Sequence, residues 1–195
     1  GDATSAEKDF RRAIEMSEAI KHPRGVTLNL ISLGDLQMRQ KRFPEAIALY
    51  TQAVTRATEV NDKAHVSAAK TQLAHAYRNL KHFTDAEQQA VQARDIARTT
   101  QARPLEAEAI YSLAEVFRSS DRQQEALATF SEGDEIAKVT ANPELTWRFA
   151  FGRGQSLESL NRNEEALTAY QQAIQTIETV RNDLREERFR AGYIE

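Results

Sequence analysis

The sequence predicts an all-α protein, a right-handed α-solenoid of antiparallel helix pairs, and three observations carry that expectation. Ala, Gln, Glu, Arg and Leu dominate the 195 residues, and all are helix formers. Five segments stand in register 40 residues apart: Ala6–Phe10, Ala46–Tyr50, Ala86–Ala90, Ala126–Phe130 and Ala166–Tyr170. In each, a large position follows the leading Ala by four residues and a second small residue (Ala13, Ala53, Ala93, Gly133, Ala173) follows by three more, which is one face of a helix. A helix pair of that length cannot bury its apolar face alone, so stacked neighbours must supply a continuous core.

Each element follows from that register. Residues 1–21 are expected to hold an orphan helix B of a truncated repeat, about Thr4 to Lys21, and full repeats to span 22–61, 62–101, 102–141 and 142–180. Helix A of each repeat is marked by Leu33-Gly34, Leu73-Ala74, Leu113-Ala114 and the departing Arg153-Gly154, with Gln37, Tyr77, Phe117 and Leu157 three residues later. Pro23 and Pro143, with Pro104 one place on, suit the start of an A helix. Asn142 and Asn61-Asp62 read as N-caps. Helix B carries the small–large–small face, with Phe10, Tyr50, Ala90, Phe130 and Tyr170 at the large position. Glu45, Asp85, Glu125 and Glu165 precede that face in the first turn, where the helix dipole favours an acid. Residues 181–195 extend the last helix, because Ile177, Val180, Leu184, Phe189 and Tyr193 keep the helical spacing with no stop signal.

Composition removes several functional classes. Without Cys there is no disulfide framework, thiolate metal site or Cys nucleophile. Apolar runs such as Ala46–Tyr50 are too short to cross a bilayer, so no membrane insertion is expected. A net charge of −3 and a pI near 5.9 argue against a nucleic-acid partner, which needs a basic face. His22, His65, His75 and His82 form no metal-ligand array on one helix, so they read as surface or groove histidines. Gly152-Arg153-Gly154 lies inside a helix and lacks the phosphate-loop pattern, and Gly154 is explained as a helix-packing position. Arg181 to Arg190 reads as a solvated helix face. Trp147, near Phe149 and Phe151, reads as packing between neighbouring repeats, with an aromatic hot spot as the alternative. No catalytic residue, metal or cofactor is expected. The chain opens at Gly1 and stops at Glu195 inside a helical pattern, so it reads as an excised piece whose compartment is not observable, with cytoplasmic favoured.

The small residue after Leu on helix A and the Ala-x3-aromatic-x2-Ala face on helix B resemble the tetratricopeptide repeat. The likeness covers about nine-tenths of the chain and implies the superhelix of that family. Two departures stand out. The aromatic usual early in helix A is replaced by Leu30, Lys70, Ile110 and Ala150, and the proline that usually ends the repeat by Thr58, Arg98, Lys138 and Glu178. With no such stop and a period six residues longer than the common 34, both helices are expected to be longer, as in the 40-residue variant of kinesin light chains, receptor-scaffold adaptors and bacterial signalling proteins.

The resemblance further implies that A helices line a concave groove. Its expected binding residues are Asp35, Arg39, Thr71, His75, Arg78, Asn79, Tyr111, Glu115, Arg118, Arg148, Phe151 and Gln155. Two readings stand side by side: a site for an extended or helical peptide held by Arg forks and Asn79, or a solvated face on which acids and arginines neutralise one another. Charge reversal of Arg78 and Arg118 together is expected to remove capture and leave helicity intact. The Lys and Asn clamp of the family's chaperone-tail binders has no counterpart here, since Ile31, Asp35, Thr71 and His75 stand at the corresponding positions.

Residues 177–193 resemble the linker of bacterial proteins in which such repeats precede a CHAT domain, a caspase-like protease; a solenoid capping helix is the alternative. The expected function is a non-catalytic protein-interaction module binding a protein or peptide partner, a regulatory part of a larger bacterial signalling protein. The alternatives are a sensor controlling an attached effector and a self-association module using the cut ends.

Overall fold

The computed structural model describes residues 3–191, and the side chains of residues 3–183. Among these residues the chain is nine α-helices: α1 (Ala3–Ala19), α2 (Pro23–Arg39), α3 (Phe43–Glu59), α4 (Lys63–Asn79), α5 (Phe83–Thr99), α6 (Arg103–Ser119), α7 (Gln123–Val139), α8 (Pro143–Ser159) and α9 (Asn163–Ala191). The even-numbered helices carry the A pattern and the odd-numbered ones the B pattern. Helices α2 to α8 are each 17 residues long, so the six residues beyond the common period are shared between both helices of a pair.

The turns explain why the register never slips. Every turn is three residues long, and its middle residue takes a left-handed φ of 49° to 64°: Lys21, Lys41, Asn61, Lys81, Gln101, Asp121, Ala141 and Asn161. After α2, the N–H of Lys41 donates to the carbonyl of Met38 at 3.0 Å and that of Arg42 to Gln37 at 2.9 Å, and the later turns repeat the pattern. This is a Schellman close. Its last residue is also the N-cap of the following helix, so one helix ends and the next begins within the same three residues. The backbone thereby supplies the stop that the missing prolines do not. Asp62 and Asn142 cap α4 and α8 through their side chains, as expected, whereas Asn61 holds the left-handed position instead. His22 is an unforeseen cap, its Nδ1 accepting from the Gly25 N–H at 3.0 Å.

Packing follows the small–large–small face. Ala46, Ala53, Ala86, Ala93 and Ala126 are fully buried, and Tyr50 and Phe130 are sealed beside them. The Tyr50 ring lies against Gly34, where a Cβ would stand 2.4 Å from it, and the Tyr50 hydroxyl donates to Asp35 at 2.6 Å. Phe130 leans the other way, onto Gly152 of the next A helix, which is why Ala114 can carry its methyl group. Arg153, the departure from Leu on α8, is answered by Asp134 of α7, whose buried carboxylate it reaches at 2.8 Å. Trp147 does not join Phe149: that ring is buried with Phe130 and Tyr111 toward the preceding repeat, while Trp147 faces Ile177 and Val180 of α9.

Candidate functional site

Curvature places the groove. Successive A helices approach through their backbones, α2 with α4, α4 with α6 and α6 with α8, whereas among the described residues neighbouring B helices meet only through side chains, as in Arg56–Glu18 and Arg98–Glu132. Elements drawn together on one side and held apart on the other bend the stack, so the A helices line its concave face. The approach is closest between α4 and α6. There Ala90 stands where the other repeats have a ring, and no spacer holds the pairs apart.

That closest approach carries a charged network. Glu115, buried at 6% exposure, accepts two hydrogen bonds from Arg118 (3.0 and 2.9 Å) and one from Arg78 across the repeat boundary at 3.1 Å. A buried carboxylate held by two guanidiniums is stabilising only while both partners stay. Reversing Arg78 and Arg118 would crowd three carboxylates beside one buried position, so the double reversal is expected to lower stability as well as any capture. The physical reason is that these forks hold the fold before they can hold a ligand.

Arg148 is differently placed. Its guanidinium lies 4.1 Å above the Tyr111 ring, and its nearest acids, Glu144 and Glu108, stand at 3.7 and 3.9 Å, beyond hydrogen-bond reach. His75 lies half-buried between Arg78 and Arg148; burial first, and then those two charges, push its imidazole down to about 4, against the opposite pull of Glu115. Burial raises Glu108 despite Arg148, and raises Tyr111 as well. At neutral pH the centre of the groove therefore presents a neutral imidazole, an arginine stacked on a phenol, and an ion-pair network in which Glu115 is fully engaged while Arg78 Nε has no hydrogen-bond partner among the described residues.

The other expected groove residues separate. Asp35 accepts from Tyr50 and, at 3.2 Å, from Gln72 of the next repeat, and burial raises its carboxyl. Thr71 is buried, with its hydroxyl bonded to the Ser67 carbonyl. Asn79 turns its amide back onto the His75 carbonyl at 2.8 Å. Arg39 is exposed, and Gln155 is half-buried on α8. Phe151 is 44% exposed with its ring against Tyr170. The Phe151 ring and the Arg148–Tyr111 shelf place an exposed ring and a stacked cation on the groove side of α8. Sequence reasoning missed Gln72 as the link to Asp35; a polar residue 37 positions on, in the facing helix, was the available signal.

The remaining histidines are structural. His22 caps α2, His65 lies 2.9 Å from Asp62, and His82 stacks on Tyr77. No group of three metal-ligating side chains occurs among the described residues. None of their helices is long and apolar enough to cross a membrane. Of the last helical stripe, the side chains of Leu184 and Phe189 and the whole of Tyr193 lie outside the described residues, as does that part of the linker resemblance.

Two family models, both described as Tetratricopeptide repeat, match residues 24–99 and 134–179. Comparison with curated protein sequences returns no match. Among solved structures, BtubC (BKLC) from P. vanneervenii superposes with a TM-score of 0.80 at 18% identity, over 93% of this chain and 75% of that one. A signal transduction ATPase with numerous domains, carrying a tetratricopeptide repeat sensor, from Pyrococcus horikoshii gives 0.74 at 18% identity, over 95% of this chain and 30% of that one. A Rap protein complexed with Competence and Sporulation Factor gives 0.68 at 18% identity, over 89% of this chain and 53% of that one.

Proposed function

Because the chain belongs to the tetratricopeptide repeat family, we propose that it is a non-catalytic protein-interaction module whose concave groove takes an extended or helical segment of a protein partner. The observation that carries this reading is a pair of groove features, the Arg148–Tyr111 shelf and the exposed Phe151 ring, on a surface made continuous by touching A helices. A flat cation stacked on an aromatic and an exposed ring one turn on suit a segment that brings a carboxylate and an apolar side chain.

The finer reading is a regulatory one: the array senses a peptide or ligand and controls an attached effector, such as a CHAT protease, in a larger bacterial signalling protein. Two fold relatives support it, the Rap protein solved with a bound factor and the ATPase whose repeats form a sensor.

The test is a peptide selected from a random display library and mapped by hydrogen exchange. Protection is expected on α4, α6 and α8, and Arg148→Ala with Phe151→Ala should weaken binding about tenfold or more while leaving the melting curve in place. Selected peptides that protect α3, α5 and α7 instead, or that bind the double variant unchanged, would overturn the groove.

A further inference from the structure

A second binding site lies away from the groove, between α7 and α9, floored by α8. At this register the first three repeats carry Val26, Val66 or Glu106 and Leu30, Lys70 or Ile110. The first repeat keeps a cleft of its own at this register, about 440 Å³, lined by Val26, Arg56 and Glu59 among others, whereas the polar groups of the second and third are paired within the fold. Lys70 donates to Gln89 and Gln92, and Glu106 is held by Arg98 and Arg103. The fourth repeat has Thr146 and Ala150 at those positions, and Thr176 where the second and third have Ile96 and Ile136. Beside these shorter side chains lies a cleft of about 400 Å³ lined by α7, α8 and α9, which unlike that of the first repeat has a buried carboxylate in its wall. A smaller apolar cleft of about 290 Å³, with Trp147, Ile177 and Val180, shares Pro143 and Val180 with it.

The cleft wall is built for a donor. Asp134 is buried at 2% exposure; Oδ2 is taken by Arg153 and Lys138, but Oδ1 has no hydrogen-bond partner among the described residues. A buried carboxylate oxygen left unpaired is costly, and a bound N–H group would relieve it. The threonines around it add to the demand. Thr146, Thr176 and Thr179 each give their hydroxyl proton to a carbonyl of their own helix, so toward the cleft they offer lone pairs only. Asp183 at the rim adds a second negative charge, against Lys138.

We propose that this cleft binds a small organic cation, an amino or guanidino group carried on an apolar body, with the N–H group on Asp134 Oδ1 and the body against Trp147, Ile177 and Val180. The combined volume suits a molecule of that size. Trp147 is the only tryptophan of the chain, so it reports occupancy directly.

The experiment titrates the intact 195-residue chain with phenethylamine, and with phenylacetate and 2-phenylethanol as the anionic and neutral counterparts, following Trp147 emission and amide shifts. A saturable millimolar response to the amine, with shifts on α8 and α9, is expected, and binding of phenylacetate weaker by about tenfold or more. Asp134→Asn should remove the preference for the amine. Because that change also loosens Arg153, Ala150→Leu is the independent control: it adds bulk at the cleft floor and should abolish binding without touching the ion pair. Equal binding of phenylacetate, retained binding in Ala150→Leu, or shifts confined to α4 and α6 would overturn the assignment.

Discussion

Gly34→Ala tests the packing rule of the solenoid at its tightest point. The added methyl carbon would stand 2.4, 2.8 and 2.9 Å from three carbons of the Tyr50 ring, where ordinary contact begins near 3.4 Å. The ring has nowhere to retreat, being 1% exposed and tied through its hydroxyl to Asp35. Overpacking of this kind costs about 1–3 kcal/mol, and a clash this short against an anchored ring belongs at the upper end. Replacing a mid-helix glycine by alanine returns about 1 kcal/mol of helix propensity. The net expectation is a loss of about 1–2 kcal/mol. The second repeat shows the relaxed version, with Ala74 on its A helix and Ala90 where the ring would be. In a Tyr50→Ala background, then, Gly34→Ala should change sign and stabilise by about 0.5–1 kcal/mol, giving a coupling of about 1.5–3 kcal/mol across the double-mutant cycle. Urea unfolding of the four proteins, followed by circular dichroism, measures it. A coupling within about 0.5 kcal/mol of zero would refute the reasoning, because it would mean that ring and glycine do not confront each other.

Three further outcomes are expected. Ala141→Gly should stabilise by about 0.5–1 kcal/mol, since an alanine at φ 49° bears a left-handed strain that glycine lacks; an unchanged or lower melting temperature would contradict that turn. Ala126→Leu should cost about 1–3 kcal/mol at a fully buried position, and an unshifted melt would put that position outside the core. His75, whose native pKa of about 4 lies below its unfolded value near 6.5, binds its proton more readily when unfolded, so stability is complete above that upper value and falls as pH drops toward 4, by at most about 1.4 kcal/mol per pH unit. The groups that face it are Arg78, Arg148 and Glu115, and His75→Gln should flatten the slope relative to the native chain; identical pH profiles would show the ring to be solvated.

Repetition made the fold legible. A 40-residue period kept without slippage over five copies specifies helix type, pairing and stacking together, because only one face of each helix can hold Ala, ring and Ala against a neighbour. Asp62 and Asn142 were readable as caps for the same local reason. The site was less legible. Arg78, Arg118 and Glu115 are recognisable as groove residues from their register, but nothing in their spacing says that the three neutralise one another across a repeat boundary. That follows from how closely α4 and α6 approach.

The sequence by itself determined the all-helical solenoid and the places where helices meet closely, since propensity and side-chain size act within a few residues and repeat with the chain. Only the tertiary structure decided which charges are consumed by the fold and which stay available, because pairing across a curved stack depends on distances set by helices 37 to 41 residues apart. It alone also turned Ala150, in sequence merely a missing aromatic, into the floor of a cleft with an unpaired carboxylate oxygen above it.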